Sequence, residues 1–191
     1  SAKANELKAA GERVINFGVG EPDFNTPEHV CQAAKSALDK GYTKYVAAAG
    51  LPALKRAIAK KLKADNNLDY EPSQIIVSNG AKHSIFNALF ATINPGDEVL
   101  IPKPYWLTYP EVVKSCGGVP NYIYATARHG YKVTAAQIES AISEKTKMLI
   151  FNSPCNPTGA VYTEEEIRKI AEVCVEHNII VLSDEIYEKL I

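Results

Sequence analysis

Four apolar residues followed by a pair of acids, in the run IIVLSDEIY from Ile179 to Tyr187, constrain this chain more than any other stretch. The run reads as a buried parallel strand that sets down a carboxylate at its carboxyl end. That edge of an open α/β sheet is where ligands bind. A carboxylate buried there is costly unless a positive charge meets it, and the run contains no Lys or Arg before Lys189. A ligand carrying a protonated ring nitrogen would meet it. Upstream, NSPCNPTG at Asn152–Gly159 offers amides and a tight turn at another strand end. The two stretches together point to a cofactor site.

The rest of the chain alternates between the two periodicities. SAKANELKAAG reads as an amphipathic helix stopped by Gly11, and VINFGVG as a short strand reaching Gly18 and Gly20. Thr26 as N-cap with Pro27 at the first helical position opens a helix through Lys40, which Gly41 stops. Leu51–Asn67 is a helix with Leu51, Leu54, Ile58 and Leu62 on one face. Gln74–Ser78 is a strand, leading through Asn79, Gly80, Ala81 and Lys82 into a helix over Ile85–Ile93. PGDEVLIP supplies a turn and a buried strand, Tyr105–Cys116 a helix, VPNYIY a strand, Thr134–Ser143 a helix and KMLIFN a strand. Thr163 with Glu166 three residues on is a capping box that begins a helix to His177. Strands alternating with helices at this spacing predict a three-layer αβα fold with a largely parallel sheet, built as one continuous domain.

Charge and cysteine usage exclude several functions. With 21 basic and 22 acidic residues, the chain carries no footprint for nucleic acid or an anionic membrane. Cys31, Cys116, Cys155 and Cys174 form no C-x-x-C pair, so neither a zinc ribbon nor a disulfide framework is indicated. No run approaches the length of a membrane span and no signal pattern opens the chain, which makes a cytoplasmic location the expectation. The sequence starts without Met and closes soon after its richest motif, so both ends are expected to be cut from something longer.

The strand, SNGAK and helix succession is an anion site in form. A glycine turn exposes the first free N–H groups of a helix, where the dipole also favours negative charge. The same glycine is also an ordinary connection. Lys82 argues for the anion, because a cation in the first turn is unfavourable for the helix itself. Gly18 and Gly20 lack the third glycine of a dinucleotide fingerprint, and GxxxxGK[ST], HExxH and GxSxG are all missing. Trp106 in PKPYW either fills core or stacks on a planar ligand. Tyr45 in TKYVAAAG is either a surface residue or a donor to a ligand or neighbour. The four histidines show no metal spacing.

Taken in order, GEPDFNTP, TKYVAAAG, SNGAK, PYW, NSPCNPTG and SDEIY resemble the fold-type I pyridoxal phosphate enzymes, specifically class I aminotransferases of the aspartate aminotransferase group. The resemblance runs over the whole chain. It implies pyridoxal 5'-phosphate as cofactor, with Asp184 pairing with the pyridine nitrogen and Asn156 and Tyr187 donating to the phenolic oxygen. It further implies that Trp106 stacks on the ring, that Gly80, Ala81 and Lys82 cradle the phosphate, and that Tyr45 reaches the phosphate in a neighbouring subunit. A homodimer follows. Gly20 matches a glycine beside the substrate, and with Lys82, Trp106 and Asn156 it forms the implied substrate side. Lys82 faces either the phosphate or the distal carboxylate of a dicarboxylic substrate.

The family's Schiff-base lysine lies downstream of the SDEIY motif, and Lys189 is too close to Asp184 to be that lysine. The resemblance thus makes residues 1–191 an incomplete large domain, with 1–20 near the small-domain junction and 21–191 its sheet and helices. The implied reaction of the parent is transamination between aspartate, or another dicarboxylic amino acid, and a 2-oxo acid. The fragment itself is expected to be inactive. A β-lyase on the same fold and a non-catalytic binding or assembly fragment are the alternatives.

Overall fold

The structure, a computed structural model, describes residues 2–15, 22 and 24–191. It divides into two compact units, Ser1–Ala48 and Ala49–Ile191, where the sequence led us to expect one continuous domain.

The first unit holds helices α1 (Ala2–Ala9) and α2 (Glu28–Asp39). Neither has a buried residue. The amphipathic reading of α1 is therefore corrected: its one large apolar side chain, Leu7, is exposed. Gly11 does follow it in the left-handed region, at φ +86°. In α2 the N-cap position is Pro27, one residue later than expected, and no side chain caps it. The glycine-ended strand expected over VINFGVG falls mainly outside the described residues.

The second unit holds helix α3 (Pro52–Asn66), helix α4 (Ala81–Thr92), strand β1 (Glu98–Lys103), helix α5 (Thr108–Ser115) and strand β2 (Val119–Tyr124). Helix α6 (Ala135–Ala141), strand β3 (Thr146–Asn152), helix α7 (Glu164–Glu176) and strand β4 (Ile180–Asp184) follow. The expected capping box forms, with Thr163 accepting from the Glu166 N–H, and the structure adds a second, unforeseen one at α6, where Thr134 does the same with Gln137. Two expectations fail. Gln74–Ser78 is not a strand, because among the described residues no ladder forms along it: the Val77 N–H donates to the Ala49 carbonyl at 3.1 Å, a 3-10 turn at Pro72–Gln74 leads into irregular chain, and Ile76 is exposed. Leu51 and Leu54 are also exposed, so the apolar face of α3 is only half covered.

The four strands among the described residues are all parallel, in the order β2-β1-β3-β4. The chain steps from β1 outward to β2, then crosses back to β3 and continues to β4. Since parallel crossovers are right-handed, this reversal sends helices to opposite faces. Alternate residues record it. Val99, Ile101, Met148 and Ile150 pack with α4 and α5, while Leu100, Leu149 and Phe151 pack with α6 and α7. The result is the three-layer αβα arrangement, and the point of reversal lies at the carboxyl ends of β1 and β3. Ligands bind at such a point. β4 is less buried than its composition implied: Ile180 and Val181 are 38% and 42% exposed, because no further strand covers that edge among the described residues.

Candidate cofactor site

Register places Asn152, the last residue of β3, beside Asp184, the last of β4. Residues 182 and 184 share a strand face, and Leu182 packs with the α4 and α5 layer. The Asp184 carboxylate therefore lies on the side of those helices. It is 7% exposed, the one buried charged side chain among the described residues.

Neutral donors satisfy it. The Tyr109 hydroxyl donates to Oδ2 at 2.7 Å, and the Ile186 N–H donates to Oδ1 at 3.2 Å. Among the described residues no Lys, Arg or His nitrogen lies within ion-pair distance. Burial first, and then the bond to Asp184, push the Tyr109 phenol well above its ordinary range. It stays protonated and donates. A carboxylate has about four acceptor directions, so room remains for a cationic donor.

A second set of bonds aligns the β3 turn. Asn152 donates through Nδ2 to the Asp184 carbonyl at 2.8 Å, and accepts at Oδ1 from the Asn156 N–H at 2.8 Å. The turn closes through Gly159 N–H to the Cys155 carbonyl and Cys155 N–H to the Ala160 carbonyl. Asn156 in turn donates from Nδ2 to the Tyr187 hydroxyl at 3.3 Å. One unbroken chain of hydrogen bonds thus links Asp184, Asn152, Asn156 and Tyr187.

The start of α4 lies across a cleft of about 300 Å³, lined by Ala81, Ser84, Ile85, Leu182, Asp184 and Ile186 among others. Gly80 precedes α4 with φ +80° and ψ 167°, a region that side chains rarely enter, and a Cβ there would meet nothing within 4 Å. Its open flank and the unbonded first N–H groups of α4 form a cradle for an anion. Lys82 is exposed and holds its ammonium 5.2 Å from the centroid of the Trp106 ring. Trp106 is half-buried and meets Tyr109 edge to face at 5.6 Å.

The structure thus brings Ala81, Lys82, Trp106, Asn156, Asp184 and Tyr187 into one neighbourhood, with Gly80 leading α4. Tyr45 lies in the first unit and is fully exposed. Gly20 lies outside the described residues. Lys189 pairs with Asp65 at 2.9 Å. Sequence reasoning missed Tyr109 and the aligning role of Asn152. Tyr109 stands three residues after Trp106, and its N–H donates to the Trp106 carbonyl in the turn that opens α5.

A parallel αβα sheet that gathers these groups at its carboxyl edge belongs to the fold-type I class of transferases. More narrowly, the chain belongs to the aminotransferase class I and II family, whose profile matches residues 12–191. It is 56% identical over its whole length to an aspartate aminotransferase of Bacillus sp. (strain YM-2), of which it covers 49%. Among solved structures, it matches the aspartate aminotransferase of Rhizobium meliloti at 46% identity and a TM-score of 0.92, covering 98% of this chain and 47% of that one. It also matches the Thermus thermophilus aspartate aminotransferase with maleate, at 43% identity and a TM-score of 0.90, covering 96% of this chain and 48% of that one. The chain spans about half the length of the relatives it matches.

Proposed function

We infer that the whole protein transfers an amino group between aspartate, or another dicarboxylic amino acid, and a 2-oxo acid, using pyridoxal 5'-phosphate. The observation that carries this reading is the Asp184 carboxylate, buried with neutral donors on both oxygens and facing a cleft that ends at the α4 start. That arrangement fits a ligand with a protonated ring nitrogen at one end and a phosphate at the other. Bound there, the cofactor supplies an electrophilic carbonyl and an electron sink for charge that develops at the substrate α-carbon.

The residues of this chain hold and tune it. Asp184 keeps the ring nitrogen protonated, since separating that proton would leave a carboxylate without its cation in a buried site. Asn156 and Tyr187 donate to the phenolic oxygen, and Gly80 and Ala81 offer backbone N–H groups to the phosphate. Trp106 covers a ring face and excludes water. Lys82 serves the distal carboxylate of a dicarboxylic substrate, a role supported by its ammonium over Trp106 and by the maleate, a dicarboxylate, that accompanies the Thermus relative. Gly20 lies beside the substrate. Tyr45, fully exposed in this chain, reaches the phosphate held by a second copy in a homodimer.

Residues 21–191 are then the sheet and helices of an incomplete large domain, with 1–20 near its junction with a small domain. We place the protein in the cytoplasm; the four free thiols support that, and no helix among the described residues is long and apolar enough to cross a membrane. Lys189 pairs with Asp65 and follows Asp184 too closely along the chain to be the lysine that binds the cofactor covalently, which in this reading lies outside these residues. The 191-residue chain alone is inactive in this reading.

Incubating the complete protein with aspartate and 2-oxoglutarate tests it. Oxaloacetate is the expected product. Ammonia and pyruvate from a β-substituted amino acid, with no oxaloacetate, would move the chemistry to a β-lyase. No absorbance change and no quenching of Trp106 on adding pyridoxal phosphate would leave a non-catalytic fragment.

A further inference from the structure

Tyr187 is held from two sides. On one, its hydroxyl accepts from Asn156 at 3.3 Å, a long bond near the limit of useful geometry. On the other, the next residue begins the 3-10 turn Glu188–Leu190, and that turn is tied to the end of α3. Lys61 donates to Glu188 Oε2 at 2.6 Å, and Asn66 donates to Oε1. Lys61 also donates to Asn66 Oδ1 at 2.8 Å, which closes a ring of three side chains. One residue further on, Lys189 pairs with Asp65.

Exposed ion pairs usually contribute little, but this one differs in form. Both carboxylate oxygens of Glu188 are taken by different donors, and Lys61 and Glu188 are only 39% and 29% exposed. The Lys61 ammonium and the Asn66 amide hold the Glu188 carboxyl below the usual carboxylate range. Core burial does not account for the contact, because α3 has no buried residue. The ring instead fixes where the chain goes after β4. The Leu190 N–H donates to the Tyr187 carbonyl at 2.9 Å, and the Glu188 N–H to the Glu185 carbonyl at 2.9 Å. A turn this tightly bonded passes the position of the Glu188 carboxylate directly to the Tyr187 backbone.

We propose that Lys61, Asn66 and Glu188 are positioning residues that set the reach of the Tyr187 hydroxyl toward the bound cofactor. The inference rests on the function proposed above, and it adds α3 as a brace on one side of the site. Donation by Tyr187 drains charge from the cofactor's phenolic oxygen, so weaker donation leaves a neighbouring protonated nitrogen holding its proton more tightly. The pH midpoint of the bound cofactor's visible absorbance then moves upward.

The test uses the complete protein loaded with pyridoxal phosphate and reads that absorbance midpoint. Tyr187→Phe is the benchmark and is expected to raise it. Lys61→Met and Glu188→Ala are expected to raise it by less, about half a unit, and Glu188→Gln, which keeps one acceptor, by less again. In the Tyr187→Phe background Glu188→Ala is expected to add nothing, because the brace acts through the hydroxyl. If Tyr187→Phe shifts the midpoint and none of the α3 or Glu188 variants does, the brace is refuted and the site reading stands. The same refutation follows if Glu188→Ala shifts it equally with and without the hydroxyl. If Tyr187→Phe itself leaves the midpoint in place, the assigned role of Tyr187 falls, and the brace with it. Should Glu188→Ala fail to fold, Glu188→Gln and Lys61→Met carry the comparison.

Discussion

Tyr109→Phe removes one oxygen atom and leaves the packing of the ring intact, which makes it a sharp probe of the buried carboxylate. The hydroxyl is one of only two donors to the Asp184 carboxylate among the described residues, at 2.7 Å, and Tyr109 is 3% exposed, so water does not readily replace it. A hydrogen bond to a charged group contributes about 1.5–3 kcal/mol, and leaving its partner unsatisfied keeps the loss near that range. For a protein of this size each kcal/mol is worth about 2–4 °C in Tm. A loss of about 2 kcal/mol therefore lowers Tm by roughly 4–8 °C. Urea unfolding of wild type, Tyr109→Phe, Asp184→Asn and the double variant gives the coupling directly. The cycle is expected to return about 1–1.5 kcal/mol, because an amide oxygen still accepts from the phenol and only the charge-dependent part of the bond is lost. A coupling below about 0.5 kcal/mol would show that Tyr109 and Asp184 do not depend on one another, and the account of how this chain tolerates a buried carboxylate would fail.

Alkaline pH should destabilise the fold before the lysines titrate fully. Burial pushes the Tyr162 phenol from 10.0 up to about 12, and burial with the Asp184 bond pushes Tyr109 up as well. The folded state holds the Tyr162 proton more tightly, so its contribution is complete below pH 10.0 and is lost as pH rises toward about 12, while that of Tyr109 persists to higher pH. Tyr162 alone gives about 2–3 kcal/mol over that window; urea midpoints measured at both ends check it, and a flat profile refutes it. Gly80→Ala places a Cβ where φ is +80°; it should cost about 1–3 kcal/mol and weaken pyridoxal phosphate binding, both measurable by calorimetry. Lys82→Met should raise KM for aspartate roughly tenfold while leaving KM for a monocarboxylic amino acid unchanged, and equal effects on both would reassign Lys82 to the phosphate. Val181, 42% exposed on β4, leaves an apolar edge that invites association. Light scattering should find oligomers of the 191-residue chain and fewer of them after Val181→Lys; a clean monomer at the outset refutes this.

What the sequence shows of this site depends on how far apart its parts lie along the chain. Asp184 was legible because an apolar run and its terminal carboxylate are adjacent, and the Thr163 and Glu166 capping box because helix geometry fixes that spacing. Burial of the same run was misread, since the exposure of Ile180 and Val181 depends on whether another strand lies beside them. Gln74–Ser78 fails as a strand for the same reason: β-propensity describes a residue that fits a sheet, and a partner must still be there. Tyr109 could not be assigned to Asp184 because 75 residues separate them, and Lys61 could not be assigned to Glu188 across 127. Both become neighbours only after the crossovers have folded. Local rules therefore pointed to groups that the fold gathers at one sheet edge, while the side chains that hold those groups became visible only with the tertiary fold. Variants at Lys61 and Tyr109 accordingly probe interactions that no motif in this sequence encodes.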